Sequence, residues 1–314
     1  MSKKIFEKII LNSDLIKIFL SKNNIKGKIL KISYLAFKKI LILIKYKKYI
    51  YILKICYDPY SIKLSNNEHK SYSIIKKNSL KFINILPFRK IVSNKKFSIT
   101  QIKFIDGRKG NFSKFNDFYK FTELNKRKYL FLTNYIEKKI AYYINLNKKI
   151  SKDISINKYK KRIYDKYKVH RVITNYSHGD FAKYNTLKSK KNNYVIDLEF
   201  FNKDRNFLYD FLFWHLVPVF NYLYKLNNIV PISIIFYLID KFIRYDLIKN
   251  KKINLGDLTL YFSLFLFERI LQLKTELKLK NINELLTKSI QKKNMKIINF
   301  YEKLLNYCLK NHQK

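Results

Sequence analysis

The apolar positions of the N-terminal third follow the pattern of an antiparallel sheet. Three runs between residues 28 and 56, namely ILKISYLAF, ILILIKY and YIYILKICY, are rich in β-branched and aromatic residues and are separated by lysine-rich breaks. This pattern predicts three strands, and similar runs predict two more strands at residues 83–91 and 97–105. Apolar residues at helical spacing predict short helices over residues 4–20 and 66–77.

Beyond Gly110 the apolar residues recur mainly at helical spacing. Residues 115–147 are expected to form one or two helices, whose apolar face would contain Tyr129, Leu132, Tyr135, Ile136 and Ile140. A short β segment is expected around residues 172–197. Residues 207–310 predict several helices, and the last one has an apolar stripe formed by Ile297, Tyr301, Leu304, Leu305 and Cys308.

This order of elements predicts an α+β fold with two lobes. Residues 1–105 would form a small, antiparallel, β-rich lobe. Residues 106–314 would form a larger, mainly α-helical lobe that holds the β segment at its front edge. A cleft between two such lobes is a common location for a small-molecule site.

Composition excludes a disordered chain and constrains the partners. The chain has 314 residues, of which 47% are hydrophobic and 17% aromatic, so it can bury a substantial core. The formal net charge of +44 is typical of proteins that bind nucleic acid, an anionic membrane surface or a phosphorylated substrate. The alternative is a bias towards A/T-rich codons, which also explains why Ile, Asn, Tyr and Phe are abundant and Gly and Pro are scarce.

The lysines are scattered along the chain without a recognition motif, so no nucleic-acid partner is expected. Peripheral contact with an anionic inner membrane face stays open because of the charge.

Cys56 and Cys308 lie far apart without metal-ligand companions, and the first residues lack the apolar core of a signal peptide, which together favour the cytoplasm. The apolar runs at residues 229–239 and 258–267 have about half the roughly 20 residues that span a bilayer, so we expect buried helices. Nothing in the sequence indicates an oligomeric state.

Two carboxylates and one amide fall within a short segment, HGDFAKYN followed by VIDLE. The D-x-x-x-x-N spacing allows one loop to present Asp180 and Asn185 to the same cleft. The apolar run before Asp197 predicts a buried strand whose end would bring this carboxylate to the same place. Phosphoryl transfer from a nucleotide requires such a set, because one carboxylate orients the attacking hydroxyl while carboxylate and amide oxygens hold magnesium. We therefore expect a kinase.

The segment 176–214 resembles the aminoglycoside phosphotransferase and choline kinase branch of the protein-kinase-like superfamily. Members of that branch carry H-G-D or H-N-D where most protein kinases have H-R-D, and I-D-x-E where protein kinases have D-F-G. The resemblance implies ATP and Mg2+ as cofactors, with Asp180 as the catalytic base and Asn185 and Asp197 as metal ligands. In outline it extends over residues 50–215.

Three further residues of the segment have expected supporting roles. By the same resemblance, His178 would hold the catalytic loop by packing and hydrogen bonding, since Asp180 already fills the role of base. Glu199 would either contact the metal through water or brace the loop, and the sequence leaves both open. Asp210 resembles the aspartate that opens the next helix and bonds back to the catalytic loop, a role compatible with that of a helix N-terminal carboxylate.

Upstream, YILKI places Lys54 within an apolar strand, where an unpaired ammonium group would be costly. The cost disappears if Lys54 binds nucleotide phosphates and a carboxylate. Glu68 on the following helix is the candidate partner, as in the Lys–Glu pair of kinases, with Glu123 as an alternative. The simpler interpretation of Lys54 is an edge-strand lysine with its charge in water.

The chain lacks the G-x-G-x-x-G loop that covers the phosphates in protein kinases, since Gly27 is the only glycine before Gly107. That loop would be expected between the first two strands, near residues 35–38. Residues 101–106 resemble the hinge between the lobes, where the backbone around Phe104 and Asp106 would bond the nucleotide base. The choice between ATP and GTP stays open.

The predicted function is therefore an ATP- and Mg2+-dependent phosphotransferase acting on a hydroxyl of a small molecule. Too few residues separate Asp197 from Asp210 for the long activation loop of protein-directed kinases. A sugar, an envelope-glycan precursor or an amino alcohol such as choline is the expected acceptor, because the basic helical lobe does not suit a polycationic aminoglycoside. The alternatives are a non-catalytic kinase-like scaffold, an aminoglycoside-type antibiotic kinase, and a binder of nucleic acid or membranes.

Overall fold

The computed structural model of the chain describes residues 13–35, 39–77, 84–85, 88–109, 128–168, 170–189, 192–226, 230–249, 255–278 and 284–310. Its strands are β1 (Lys28–Leu35), β2 (Lys39–Tyr46), β3 (Tyr49–Cys56), β4 (Asn84–Ile85), β5 (Phe88–Ser93), β6 (Ser98–Lys103), β7 (Arg108–Lys109), β8 (Lys128–Phe131), β9 (Arg171–Ser177), β10 (Thr186–Ser189), β11 (Asn192–Val195) and β12 (Asn202–Asn206). Its α-helices are α1 (Ser13–Lys22), α2 (Pro59–Lys77), α3 (Leu132–Leu146), α4 (Ile154–Lys166), α5 (Tyr209–Leu226), α6 (Ile232–Lys249), α7 (Leu255–Leu277) and α8 (Glu284–Lys310).

A five-stranded antiparallel sheet in the order β1-β2-β3-β6-β5 forms the first lobe, so the three predicted strands between residues 28 and 56 are confirmed. The alternation along β2 buries Ile40, Ile42 and Ile44 on one face of the sheet, where they pack with α1. The opposite face carries Lys39 on β2 and Lys54 on β3. That face turns towards α2 and the second lobe, and it therefore supplies the polar side chains of the cleft.

Helix α2 begins at Pro59, seven positions earlier than the sequence pattern predicts. The reason is a cap, because Asp58 Oδ1 accepts hydrogen bonds from the backbone N–H groups of Tyr60 (2.9 Å) and Ser61 (3.3 Å). Proline at the first helical position adds to this start signal, since its fixed φ suits a helix and it has no N–H to satisfy.

Two other boundaries differ from the prediction. Lys128–Phe131 forms strand β8 beside β9 rather than the start of a helix, so Tyr129 is exposed and does not share the buried face of α3. The strand predicted at residues 83–91 is divided, because β4 pairs in parallel with β11 of the second lobe while β5 joins the first sheet. Residues 4–12, Ile83, residues 86–87 and residues 115–127 of these predictions lie outside the described residues.

The second lobe is mainly helical, and α7 runs through its centre. Every residue from Leu258 to Leu273 is buried, as expected for a helix surrounded by other elements. The predicted stripe of α8 is confirmed, since all five of its residues are buried. Two small sheets, in the orders β12-β9-β8 and β4-β11-β10-β7, lie at the edge of this lobe and carry the HGD and VIDLE segments.

The fold is α+β, with an antiparallel β-rich lobe followed by a helical lobe, as predicted from the order of elements. The boundary between residues 105 and 106 stays a prediction. Among the described residues, every helix is too short or too polar to cross a bilayer.

Candidate active site

The β10–β11 hairpin brings the two halves of the motif together. Its register pairs Thr186 with Val195, so the residue before the first strand and the residue after the second must be neighbours. The backbone N–H of Ile196 accordingly donates to the carbonyl of Asn185 at 3.0 Å. Asp197 follows directly and has a left-handed backbone conformation (φ 61°, ψ 62°), which turns the chain sharply at the strand end.

Asp180 and Asn185 are in direct contact within the loop that follows β9. The amide nitrogen of Asn185 donates to the backbone carbonyl of Asp180 at 2.8 Å and to its Oδ2 at 3.0 Å. The Tyr184 hydroxyl donates to the other carboxylate oxygen at 3.1 Å. Burial raises the pKa of Asp180 above its ordinary value, although Arg269 and then His178 act in the opposite direction.

His178 is fully buried, and both of its ring nitrogens are engaged. Nε2 lies 2.8 Å from the carbonyl of Ile196, and Nδ1 lies 3.2 Å from the backbone N–H of Asp180. Because a carbonyl only accepts, Nε2 donates to Ile196, and Nδ1 accepts from the backbone N–H of Asp180. The side chain therefore ties the HGD loop to the VIDLE segment.

Asp210 lies in the first turn of α5 and accepts three hydrogen bonds from the start of the HGD loop. The donors are the Ser177 hydroxyl (2.8 Å) and the backbone N–H groups of His178 (2.7 Å) and Gly179 (3.0 Å). A buried carboxylate with three donors is a strong local constraint, because bonds to a charged acceptor are stronger than neutral ones. It holds the loop against the helical lobe.

Lys54 lies at the centre of a buried ion cluster between the lobes. Its Nζ is 3.0 Å from Glu68 on α2, 2.9 Å from Asp197 and 2.5 Å from Glu199. Strand β3 lies between β2 and β6, so the interpretation of Lys54 as an edge-strand lysine is wrong. Of the two candidate partners, Glu68 makes the contact, and Glu123 lies outside the described residues.

The charges of this cluster depend on one another. Burial alone would lower the pKa of Lys54, but Asp197, Glu199 and Glu68 hold it well above its ordinary value, so the ammonium form persists. Burial raises the pKa of Glu68 to about 7 despite Lys54, with Asp197 and Glu199 adding to the increase. Burial would raise the pKa of Asp197, but Lys54 and Lys39 together bring it below its ordinary value.

Sequence reasoning missed Lys39, the first residue of β2. Its Nζ lies 2.5 Å from Glu199 Oε2, so this carboxylate contacts two ammonium groups. The hairpin register could have identified it. Counting back from the two-residue turn at residues 47–48 pairs Lys39 with Cys56, diagonally next to Lys54 on the same face of the sheet.

Glu199 is also anchored through its backbone. The side-chain amide of Asn67 on α2 donates to the carbonyls of Glu199 (2.7 Å) and Phe201 (3.1 Å). This fixes α2 to the turn after Asp197. These contacts are consistent with the interpretation in which Glu199 braces the loop.

Phe104 and Asp106 lie apart from the ion cluster. Phe104 follows the end of β6, and its backbone N–H already donates to the carbonyl of Ile50 at 2.9 Å, so this group is not available to a ligand. The side chain of Asp106 is exposed. Because Lys54 is paired with Thr100 on β6, Phe104 lies four residues, roughly 13 Å, further along the strand.

The donor set of the site fits magnesium. Asp197 keeps 40% of its side chain exposed despite its ion pair, and the hydrogen bonds of the Asn185 amide nitrogen to Asp180 leave its amide oxygen for another partner. Carboxylate and amide oxygens are the hard ligands that Mg2+ takes in proteins. Oxygen atoms of Glu68, Asp197 and Glu199 also lie within 4.8 Å of one another, with the two lysines as their counter-ions.

Neither a protein-family model nor a curated protein sequence matches this chain. Solved structures do match it over nearly its whole length. The aminoglycoside phosphotransferase APH(4)-Ia gives a TM-score of 0.53 at 9% identity, covering 94% of this chain and 98% of the other. A thermostable mutant of that enzyme, in a ternary complex with AMP-PNP and hygromycin B, gives 0.55 at 8% identity, covering 96% and 100%.

A protein assigned as a fructosamine-3-kinase, from Haemophilus somnus 129PT, gives a TM-score of 0.51 at 14% identity, covering 93% of this chain and 96% of the other. At these identities the likeness shows the fold alone. The chain has the two-lobed, protein-kinase-like fold that these phosphotransferases share.

Proposed function

We propose that the protein is an ATP- and Mg2+-dependent phosphotransferase that transfers the γ-phosphate to a hydroxyl group of a small molecule. The observation that carries this proposal is the meeting of two sets of side chains at one cleft. Asp180 and Asn185 contact each other on the loop after β9. Asp197, two residues after the end of β11, pairs with Lys54 of the first lobe, and Lys54 also pairs with Glu68. Phosphoryl transfer needs this combination of base, metal ligands and phosphate-binding cation.

Asp180 would act as the catalytic base. Its carboxylate would orient the acceptor hydroxyl and accept its proton as the oxygen bonds to the γ-phosphorus and the bond to ADP breaks. Its raised pKa is consistent with such a role, because a base transfers protons best when its pKa lies nearer the working pH. His178 and Asp210 would keep the loop in position.

Asn185 and Asp197 would hold the magnesium ion, which when bound would supply positive charge against the triphosphate. Lys54 would bind the phosphates, with Glu68 and Glu199 orienting its ammonium group. The backbone around Phe104 and Asp106 would receive the nucleotide base, with carbonyl groups as the acceptors at Phe104. For the acceptor we propose a sugar, an envelope-glycan precursor or an amino alcohol, because the net charge of +44 does not suit a polycation.

The test is a phosphorylation screen with Mg–ATP and Mg–GTP over sugars, glycan precursors, amino alcohols, nucleosides and aminoglycosides. With the acceptor found, we expect Asp180→Asn to lower kcat by about 100-fold or more with an unchanged melting temperature, and EDTA to abolish transfer. Asp165→Asn, an exposed aspartate on α4, is the matched control. Full activity of Asp180→Asn would refute the assignment. Stabilisation by nucleotide without transfer to any acceptor would instead support a non-catalytic protein.

A further inference from the structure

Lys39 is a buried cation to which none of the roles proposed above is assigned. Only 11% of its side chain is exposed, and its Nζ contacts Glu199 Oε2 at 2.5 Å. Glu199 also has the ammonium group of Lys54 at 2.5 Å from its other oxygen. Glu199 would still be paired with Lys54 if Lys39 turned away from it, so Lys39 can take a further anionic partner.

The position of Lys39 indicates which anion. It is the first residue of β2 and directly follows residues 35–38, where a phosphate-covering loop is expected. In the β2–β3 register, Leu41 pairs with Lys54 and Lys39 pairs with Cys56, so the two lysines project diagonally from the same face of the sheet. Both ammonium groups meet at Glu199, and Lys54 reaches Asp197, a proposed metal ligand.

The charges of the cluster show why Lys39 would matter to a phosphate group. Glu68, Asp197 and Glu199 bring three carboxylates together, and Lys39 and Lys54 are the cations that contact them among the described residues. Burial would lower the pKa of Lys39, but Glu199 together with Asp197 holds it above its ordinary value, so the side chain is an ammonium ion at neutral pH. Removal of this charge would leave a more negative surface facing a polyanion.

We propose that Lys39 is a second phosphate-binding residue, which together with Lys54 binds the polyphosphate of the nucleotide in place of the backbone N–H groups of a glycine-rich loop. The proposal rests on the proposed function, because it takes the cleft to be the nucleotide site. Glu199 then serves as the holder of both ammonium groups, and a flexible lysine side chain can turn from this carboxylate to a phosphate oxygen.

The experiment measures dissociation constants of Mg–ATP, ADP and adenosine for three variants by displacement of a fluorescent nucleotide. For Lys39→Met we expect roughly 10- to 100-fold weaker binding of Mg–ATP, as for the loss of a charge-assisted hydrogen bond, and unchanged binding of adenosine, which has no phosphate. Lys39→Arg keeps the charge and should restore most of the affinity. Lys45→Met removes an exposed lysine from the same strand and should change nothing.

The outcomes separate the two proposals. If the wild-type protein binds Mg–ATP and Lys39→Met binds it equally well, the role of Lys39 is wrong and the proposed function stands. Equal weakening of Mg–ATP and adenosine would show a merely structural role and would likewise overturn it. If the wild-type protein binds no nucleotide, the proposed function itself fails. Selective loss of phosphate-bearing ligands, rescued by arginine, would support Lys39 as a phosphate-binding residue.

Discussion

The glycine of the HGD segment offers a sharp test of how the loop is held. Gly179 has a φ of +84°, a conformation that residues with a Cβ rarely adopt. A Cβ at this position would overlap Arg205 Nη1 and the carbonyl oxygen of Phe200, and it would lie 2.9 Å from the carbonyl carbon of Phe200. Gly179→Ala therefore perturbs both the backbone and the packing next to Asp180.

Neither neighbour can move away easily. The Arg205 side chain is fully buried, donates to Glu268 at 2.8 Å and donates to the Phe200 carbonyl at 3.0 Å. The left-handed conformation costs a residue with a Cβ about 1–2 kcal/mol, and overpacking of a buried site costs about 1–3 kcal/mol. We therefore expect Gly179→Ala to lower the free energy of unfolding by about 2–5 kcal/mol, a large part of the stability of an ordinary domain.

Urea unfolding and the phosphorylation assay measure the two consequences. Because Asp180 is the next residue, its displacement should also lower kcat by about 100-fold, since small errors of position are costly in catalysis. Gly107→Ala is the control, because its added Cβ would meet the Lys188 carbonyl oxygen at 2.9 Å but the backbone there needs no positive φ. Its loss should be less than half as large. Wild-type stability and activity of Gly179→Ala would refute this account of the loop.

Two further substitutions test buried charges. Burial lowers the pKa of Lys139 to about 7, below its unfolded value of 10.5. The free energy of unfolding therefore falls as the pH decreases from 10.5 towards 7, because in this range the unfolded chain binds a proton that the buried side chain resists. Lys139→Met should raise the free energy of unfolding at pH 7 by roughly 2–4 kcal/mol and should flatten the increase of this free energy between pH 7 and 10. Substitution of the exposed neighbour, Lys138→Met, should do neither. A destabilised Lys139→Met protein would contradict this prediction. Asp210→Asn keeps the shape but loses the charge that binds three donors, so thermal unfolding should show a loss of about 2–3 kcal/mol, with kcat reduced and nucleotide affinity retained. If Asp210→Asn matches the wild type in both thermal stability and kcat, the proposed anchoring role is wrong.

Much of the site follows from local sequence. The alternation along residues 39–56 predicts the strands, because period-two patterns bury one face of a sheet. The spacing from Asp180 to Asn185 predicts that they share a loop, and in the structure they are in contact. Strand β11 before Asp197 is likewise visible as an apolar run. These features depend on residues that are near one another in the chain.

Other features arise only when the lobes pack together. Lys54 is separated from Asp197 by 143 residues, and Lys39 is separated from Glu199 by 160. The hairpin register could place Lys39 beside Lys54, but it could not show which carboxylate of the other lobe would meet them. Similarly, the start of α2 depends on a side-chain cap, and β4 leaves the first sheet for a partner more than one hundred residues away.

The amino-acid sequence by itself determined the two-lobed order of elements and the set of polar residues on the HGD and VIDLE segments. The tertiary structure decided which charges are shared, namely that Glu199 contacts two lysines and that Lys54 lies among three carboxylates. The physical reason is that periodicity and motif spacing report local conformation. The pairing of buried charges depends instead on distances and desolvation that exist only after distant segments are brought together.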